Sequence, residues 1–415
     1  MILDADGVRR ISGDPSCLRI LFAGDLCPIN RLEGMLIGGD LDGAFGSTLP
    51  LFRRADLTVV NLEAPLCETE APIDKLGPNF RADPRIARSL AEVPVHVACL
   101  ANNHVMDQGA EGLSETLRAL DDAGIKHLGA CMDQAEAALP LRIAVGAIRL
   151  ALLNFATVEG ALPRTGPGAS RIAHLAVRRA VAEAAASSDA VIPMLHTGKE
   201  QVLLPSPGMR ELCRELVDAG ATAVVCHHPH VPQGIELYNG RPIVYSLGNF
   251  LFDWSETEPE TDTSFLLELA LSQAGVSELA VHAIVKTDKG GADLMRAPQR
   301  SDYLAFIEEI SEPLGQDEVF TALWREQCRM LLASWYEPRL ARGAMIASQD
   351  PGERRRAQLT FLNLLENDEH GEALKESLLA LATGRDRPDP EVRLVLEGLM
   401  NRLKGFAGID TEAGE

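Results

Sequence analysis

Residues 223–231 read AVVCHHPHV, a short apolar run that ends in three histidines within four residues. A run of Ala, Val and Cys is typical of a strand buried on both faces of a sheet. Pro229 stiffens the turn that follows, so His228 and His230 are predicted to present their side chains to one centre. Three of the chain's ten histidines lie in this one turn, which indicates a site rather than scattered surface residues.

Four apolar runs upstream have the same form, because polar side chains follow each of them. The runs lie at 18–23, 57–60, 95–100 and 190–195. In open α/β sheets, ligands bind beyond the carboxyl ends of the strands. The five strands are therefore predicted to bring one set of polar side chains to one sheet edge. That set comprises Asp25, Asn61, Glu63, Asn103, His104, His196, His228 and His230.

These residue types are metal ligands. Carboxylate and amide oxygens with imidazole nitrogens form a hard to borderline set that lacks thiolate. Such a set suits Zn, Mn or Fe(II), bound as one ion or two. Two ions ~3.5–4 Å apart polarise a phosphoryl or carbonyl oxygen and activate a water molecule. The sequence thus predicts a divalent-metal centre whose chemistry needs no nucleophilic side chain.

Structural roles are the alternative for each residue taken singly. Asp25 also suits a turn, Asn102 and Asn103 also suit a helix N-cap, and His196 also suits a satisfied core histidine. Glu63 is different, because a carboxylate in an apolar stretch is costly to bury without a partner. The joint occurrence of all these residues after strands favours the metal site.

Composition narrows the classes of partner. The 415 residues include 39 basic and 60 acidic side chains, a formal charge of −21, which disfavours nucleic acid and anionic membranes. We find neither a secretory signal pattern nor the ~18–20 apolar residues of a membrane helix. Eight cysteines lack CxxC spacing and suit reduced thiols. These features predict a cytoplasmic protein that does not insert into a membrane.

The pattern of residue types along the chain changes near residue 300. Before it, apolar runs alternate with helical patterns at 110–123, 175–187 and 208–219, and hairpins are predicted at 142–154 and 235–247. After it, Leu, Ala, Glu and Arg dominate with helical spacing. We expect an extension at 1–17, an α/β domain at 18–295, a helical region at 296–405 and a disordered tail at 406–415.

The motifs resemble those of the CapA (poly-γ-glutamate capsule synthesis) family, which is related to the calcineurin-like metallophosphoesterases. The match runs in order over residues 18–253. It consists of Gly24-Asp25, Asn61-Leu62-Glu63-Ala64-Pro65, Asn102-Asn103-His104 with Asp107 and Gly109, His196-x-Gly198-x-Glu200, His227-His228-Pro229-His230-Val231 and Tyr245-Ser246-Leu247-Gly248-Asn249-Phe250.

The resemblance implies a four-layer α/β/β/α metallophosphoesterase-like sandwich, here with an added C-terminal helical region. It implies a catalytic acid at His104 and a further ligand or general base at Glu200. It also implies metal ligation by Asp25, a residue of the Asn61/Glu63 pair, Asn103 or His104, His196, and His228 with His230. Candidate substrate-binding residues are Lys75, Arg81, Lys199, His227 and Asn249.

The chain departs from the wider pattern at two points. Calcineurin-like enzymes begin with Asp-x-His, but Asp25 is followed by Leu26 and Cys27, a loss that CapA proteins share. Cys27 is predicted to be either an apolar filler or a soft ligand. Thr197 stands where CapA proteins usually have Trp, which alters the expected wall of the site.

Two functions follow as hypotheses. The first is a metal-dependent hydrolase or transferase that acts through a metal-activated water on a γ-glutamyl-type amide or a phosphoester. Its substrate is expected to be an anionic small molecule or peptide-like chain. The alternative is a non-catalytic accessory or assembly protein of a polymer or secondary-metabolite pathway, with a degenerate metal site. The C-terminal helices are expected to support a homo-oligomer.

Overall fold

The computed structural model describes residues 3–13, 15, 18–157, 165–254, 258–384 and 387–407. The strands in these residues are β1 (Val8–Arg10), β2 (Leu18–Cys27), β3 (Leu57–Leu62), β4 (Val97–Cys99), β5 (Lys126–Leu128), β6 (Ala130–Cys131), β7 (Leu141–Val145), β8 (Ile148–Ala156), β9 (Gly168–Ala169), β10 (Ala190–His196), β11 (Val224–His227), β12 (Ile235–Tyr238), β13 (Arg241–Val244), β14 (Asn249–Phe252), β15 (Thr263–Ser272), β16 (Gly275–Lys286) and β17 (Ala292–Leu294).

The α-helices of the described chain are α1 (Arg31–Gly38), α2 (Leu41–Phe45), α3 (Leu49–Arg54), α4 (Ile86–Glu92), α5 (Gly109–Asp122), α6 (Gln134–Ala137), α7 (His174–Ala185), α8 (Pro207–Asp218), α9 (Gln299–Ser311), α10 (Asp317–Leu331), α11 (Glu337–Gly343), α12 (Pro351–Glu366), α13 (Asp368–Ala382) and α14 (Pro390–Phe406). A π-helical turn, Leu332–Tyr336, joins α10 to α11. Within the described residues, no helix is both long and apolar enough to cross a bilayer.

Two main sheets carry the fold. The larger sheet has the order β1-β16-β15-β2-β3-β4-β5, with β14 beside β2 and β17 beside β16. In it, β14, β2, β3, β4 and β5 run parallel. The smaller sheet has the order β12-β13-β11-β10-β8-β7, and β8, β10, β11 and β13 run parallel. Parallel neighbours end at the same edge, so each sheet collects its strand ends on one side.

The strands are apolar on both faces because each sheet is buried on both faces, by helices on the outside and by the other sheet on the inside. In β2, Ile20 and Phe22 point into the core between the two sheets, whereas Leu21 and Ala23 point into a core on the helix side. Side chains alternate along a strand, so both faces must be apolar when both are buried. This explains the uninterrupted apolar runs in the sequence.

Three cores define four layers. Leu36, Leu90 and Leu113 of α1, α4 and α5 pack on the outer face of the larger sheet. Val177 and Leu212 of α7 and α8 pack on the outer face of the smaller sheet. The third core lies between the sheets. The predicted α/β/β/α sandwich is therefore confirmed, and so is the presence of C-terminal helices.

The segments at the two ends of the chain pack against the sandwich. In the predicted extension, β1 pairs antiparallel with β16 and becomes an edge strand. After β17, the helices begin at Gln299, and Tyr303, Phe306 and Phe406 join the core between the sheets. Of the tail predicted at 406–415, residues 408–415 lie outside the described chain.

Gly24 sets the spacing between β2 and β14. A Cβ atom there would overlap the Gly248 carbonyl oxygen, which accepts a hydrogen bond from the Asp25 backbone N–H at 3.1 Å. We therefore expect Gly24→Ala to lower the free energy of unfolding by about 1–3 kcal/mol. Gly34→Ala, in the middle of α1 with open space around it, is the control and should be neutral or slightly stabilising. Urea unfolding measures both, and equal stabilities would contradict the close approach.

Candidate metal centre

The larger sheet supplies a carboxylate–amide pair. Asp25 lies opposite Asn61 in the register of β2 and β3, where the pairing shifts between Ala23 and Asp25. Such an irregularity re-aims a side chain at the end of a strand. Asn61 Nδ2 donates to Asp25 Oδ1 at 2.8 Å, and both side chains are buried. Glu63 follows directly after β3 and is completely buried.

The smaller sheet supplies His196 at the end of β10. Its Nδ1 lies 3.2 Å from Asn61 Nδ2, and its Nε2 lies 3.4 Å from Glu63 Oε1. The same Nε2 is 2.9 Å from Asn103 Oδ1 and 3.1 Å from His228 Nδ1. His196 is thus the point where the strand ends of the two sheets meet.

The turn after β11 presents two more histidines at the cost of backbone strain. His228 has φ 100° and His230 has φ 59°, in the left-handed region that residues other than glycine rarely adopt. The His228 backbone N–H donates to Asp25 Oδ2 at 3.3 Å, and His230 Nδ1 lies 3.4 Å from the same oxygen. Strain of this kind persists where the surroundings impose it, typically at functional sites.

Glu63 connects two possible ligand groups. Among the described residues, one group consists of Glu63, His228 and His230, and the other of Asp25, Glu63 and His196. Within each group the ligand atoms lie within 4.8 Å of one another. Neither Glu63 oxygen accepts a hydrogen bond in the described structure, although both are buried. A buried carboxylate that accepts no hydrogen bond is unfavourable, so this donor set fits a divalent cation.

The protonation states fit the same conclusion. Burial lowers the pKa values of His196 and His228 to about 3, so both imidazoles are neutral and keep a lone pair for a ligand bond. Burial also disfavours the charged form of His230, but the Glu63 and Asp25 carboxylates outweigh it and raise the His230 pKa to about 10. Burial and the charge of Asp25 raise the pKa of Glu63. The centre without a metal is therefore short of positive charge.

His104 lies beside this centre in a buried polar cluster. Its Nδ1 is 2.6 Å from Asp107 Oδ2, whose other oxygen is 2.5 Å from Lys75 Nζ. Burial raises the pKa of Asp107 to about 6, although Lys75 acts to lower it. Burial, followed by the charge of Lys75, lowers the pKa of His104 well below its usual value. At neutral pH the ionised Asp107 accepts the Nδ1 proton of a neutral His104.

A cavity of about 140 Å³ adjoins the centre. The predicted residues His104, Glu200, His230 and Asn249 all line it. Asn249 Oδ1 lies 2.9 Å from His230 Nδ1, and the Glu200 side chain is exposed at the rim. The structure thus brings both predicted catalytic residues to one cavity beside the metal-ligand candidates.

The remaining substrate-binding candidates lie elsewhere. Lys75 is buried behind His104 and donates to the Asn103 carbonyl at 3.2 Å. The Arg81 guanidinium is on the surface, 2.6 Å from Glu70 Oε1. Lys199 is buried, with its ammonium 4.6 Å from the centre of the Trp335 ring. His227 lies between the sheets, with Nε2 3.2 Å from the Ala23 carbonyl.

Cys27 lies in the helix-side core and is completely buried. Burial, together with the charge of Glu63, raises the pKa of its thiol well above the usual value. A thiol that resists ionisation is a poor metal ligand. Of the two alternatives for Cys27, the structure favours the apolar filler.

Sequence reasoning assigned no role to four residues of the site. Asp107 contacts the His104 ring, and Phe80, Phe252 and Trp254 line the cavity. For Asp107 a signal was present, because a carboxylate three residues after a histidine can reach its ring. For the aromatic residues no local signal distinguishes a cavity wall from core.

The family model for the bacterial capsule synthesis protein PGA_cap matches residues 19–254, more than half of the chain. The chain belongs to this family. The resemblance to CapA proteins seen in the motifs is thereby confirmed. The match covers the strands that carry the candidate ligands, whereas β15, β16 and β17 of the larger sheet lie beyond it. The helices from Gln299 onward lie outside the match.

Individual relatives agree with this assignment. The PGA biosynthesis protein CapA of Bacillus subtilis (strain 168) is 30% identical over 269 residues, which are 63% of this chain and 70% of that protein. A probable polyglutamine synthesis accessory protein of Mycobacterium tuberculosis is 30% identical over 48% of this chain and 56% of its own length. Among solved structures, the protein TT1561 of Thermus thermophilus aligns with 60% of this chain and 93% of its own, at 14% identity and a TM-score of 0.35.

Glu63→Gln distinguishes a role in metal binding from a role in the stability of the fold. Because neither Glu63 oxygen accepts a hydrogen bond, we expect the variant without metal to be as stable as the wild type or slightly more stable. Added Zn or Mn should raise the melting temperature of the wild type and leave that of Glu63→Gln unchanged. Glu260→Gln, which also alters a carboxylate with an unpaired buried oxygen, should keep the full metal response. An equal metal response in Glu63→Gln would argue against the shared ligand.

Metal affinity should depend on pH through His230. Its pKa of about 10 exceeds the usual 6.5, so its proton stabilises the metal-free fold below pH 6.5 and this stabilisation is lost as pH rises through 10. Metal binding needs the neutral ring and releases that proton. We expect affinity to rise about tenfold per pH unit between pH 7 and 9.

Calorimetry in buffers of different ionisation enthalpy measures the released protons directly. At pH 8 the wild type should release at least one proton per metal-binding event. His127→Gln, a change at a histidine paired with Asp121 outside the centre, should leave the release unchanged. Affinity that does not vary with pH would contradict the charged state of His230.

Proposed function

We propose that the protein is a metal-dependent hydrolase of a phosphoester or a γ-glutamyl-type amide in capsule-type polymer metabolism. The observation that carries the proposal is Glu63, a buried carboxylate without hydrogen-bond partners that two histidine-containing ligand groups share. Membership of the capsule synthesis family supports the biological setting. The donor set supports metal dependence, because buried charges are retained when they are paired or bind metals.

The ligands in this proposal are Asp25, Asn61, Glu63, Asn103, His196, His228 and His230. Their oxygen and nitrogen donors suit Zn, Mn or Fe, as one ion or two. A bound divalent cation supplies Lewis acidity, which polarises the scissile bond and lowers the pKa of a nearby water. The neutral His196 and His228 rings require no deprotonation before they bind.

His104 is proposed to move a proton at the leaving group. Asp107 accepts from Nδ1, which fixes the ring and leaves Nε2 as the atom that exchanges a proton. Lys75 holds Asp107 from the other side, and the Phe80 ring covers His104 at a centroid distance of 4.2 Å. Glu200, at the rim of the cavity, is proposed as a further ligand or as the base that orients a water.

The partner and location proposals rest on charge and cysteine state. The formal charge of −21 opposes nucleic acid, and the described cysteines are free thiols, which supports a cytoplasmic location. The substrate is proposed to be anionic overall, with its negative group at the cation. Exposed leucines on α13 and α14, such as Leu378 and Leu394, support a homo-oligomer through the helical region.

Metal content is the first test of the proposal. Wild type purified without added metal or a histidine tag should carry one to two equivalents of Zn, Mn or Fe by mass spectrometry. The double variant His228→Ala/His230→Ala should lose them, and the control His127→Ala should keep them. A wild type that stays metal-free after incubation with each ion would overturn the metal-dependent function.

His104→Asn distinguishes a hydrolase from an accessory protein with an inherited site. Its metal content should equal that of the wild type, while kcat on p-nitrophenyl phosphate or γ-glutamyl p-nitroanilide falls about 10²–10⁴-fold, as for loss of a general acid or base. The Arg81→Gln control should keep wild-type turnover, since Arg81 lies on the surface. Loaded wild type with no turnover above the His104→Asn level would favour the accessory role.

A further inference from the structure

The residues that line the cavity beside the metal centre are of two kinds. Four carry aromatic or proline rings, Pro78, Phe80, Phe252 and Trp254, and contacts among the three aromatic rings join them into one aromatic wall. Five are polar: Glu200, Gln201, Asn249, Glu258 and Thr261. His104 and His230 also line the cavity, each against a ring of this wall. A few polar groups facing an apolar surface are typical of ligand sites, where the apolar wall binds and the polar groups orient.

The aromatic wall is continuous from the site histidines to the surface. The Phe80 ring lies 4.2 Å from the His104 ring, and the Trp254 ring lies 5.0 Å from Phe80 at 74°. On the other side, Phe252 lies 5.2 Å from His230. A group that rests on this wall is therefore held next to both histidines.

Trp254 is 49% exposed at the outer end of the wall. Its neighbour Asp253 is held firmly, because Arg31 Nε donates to Asp253 Oδ2 at 2.8 Å and Asn30 Nδ2 donates to the Asp253 carbonyl at 2.6 Å. An indole fixed in an exposed position is unfavourable for folding alone. Such a position is expected where the ring face contacts a ligand.

Size and charge limit what the cavity can hold. Its volume of about 140 Å³ is close to the ~150 Å³ of apolar protein cavities that bind benzene. One six-membered ring fits in this volume. Among the described residues, the charged side chains that line it, apart from the two histidines, are the carboxylates of Glu200 and Glu258. These carboxylates repel an anionic flanking group.

We propose that this cavity is a substrate subsite for one uncharged six-membered ring, aromatic or pyranose, attached to the group that reacts at the metal centre. The inference rests on the proposed function for the reacting group and adds the class of its neighbour. It assigns Trp254 and Phe80 to ring binding and makes Trp254 a determinant of specificity. An aromatic ring stacks on the wall, and a pyranose presents its apolar face to the same surface.

Matched ligand pairs test the subsite with metal-loaded protein in titration calorimetry. Phenylphosphonate and methylphosphonate differ by an aromatic ring, and glucose 1-phosphate and glycerol 1-phosphate differ by a pyranose. We expect at least one ring-bearing ligand to bind about tenfold more tightly than its partner, and the pair that shows the difference identifies the ring. Ratios near one for both pairs would overturn the proposal.

Variants of Trp254 test whether the preference for ring-bearing ligands depends on the aromatic wall. Trp254→Ala should reduce the affinity ratio about fivefold or more, and Trp254→Phe should retain most of it. The control Leu175→Ala removes another exposed apolar side chain, 69% exposed on α7, and should leave the ratio unchanged. A ratio that survives Trp254→Ala would show that the ring binds elsewhere.

A neutral pair separates failure of the subsite from failure of the proposed function. Benzamide and acetamide need no metal, and NMR titration measures their binding to protein with and without ions. If the protein takes up no metal but binds benzamide more tightly in a Trp254-dependent way, the hydrolase proposal falls and the subsite stands. If metal binds but none of the phosphonate, sugar phosphate and amide pairs shows a ring preference, the subsite falls alone.

Discussion

The buried carboxylate of Glu63 is the constraint on which the site depends. Folding removes both of its oxygens from water and gives neither a hydrogen bond. Asp25, a second buried carboxylate, adds to the unfavourable negative charge of the centre. Without a metal, the proton held on His230 offsets part of this negative charge. A divalent cation would offset more of it, since both carboxylates and the neutral His196 and His228 could hold the ion together.

The fold makes this arrangement possible by stacking two sheets whose central strands are parallel and end on one side. Asp25 and Glu63 come from the larger sheet, and His196 with the His228–His230 turn comes from the smaller one. The larger sheet alone supplies carboxylate charge, and the smaller sheet alone supplies imidazole lone pairs. The site therefore exists only where the two sheets meet, and the inter-sheet core fixes that meeting. The cavity beside it is formed by loops that leave the same edge.

Much of the fold was readable in the sequence because its signals are local. The turn Asn239-Gly240 has positive φ at both residues and joins β12 to β13 where the hairpin was predicted. By contrast, the long pair β15 and β16 was not predicted. Glu268, Glu278 and His282 interrupt the apolar residues of these two strands, and β2, the other partner of β15, lies some 250 residues away in sequence. The site residues were found by their position after strands, but the distance of Arg81 from the cavity depends on loop paths that residue type does not reveal.

The sequence by itself determined the alternation of strands and helices and the set of ligand types, since each follows from residue patterns within single strands and turns. Its motifs also carried the resemblance to the family, and the four-layer arrangement was what that resemblance implied. Only the tertiary structure decided which atoms share a centre. It placed Glu63 between both histidine groups, buried Cys27 as a core residue and turned Lys75 toward Asp107. It also assembled the aromatic wall that ends at Trp254. The physical reason is that burial, charge pairing and cavity shape arise between segments distant in the chain, and no local pattern encodes their distances.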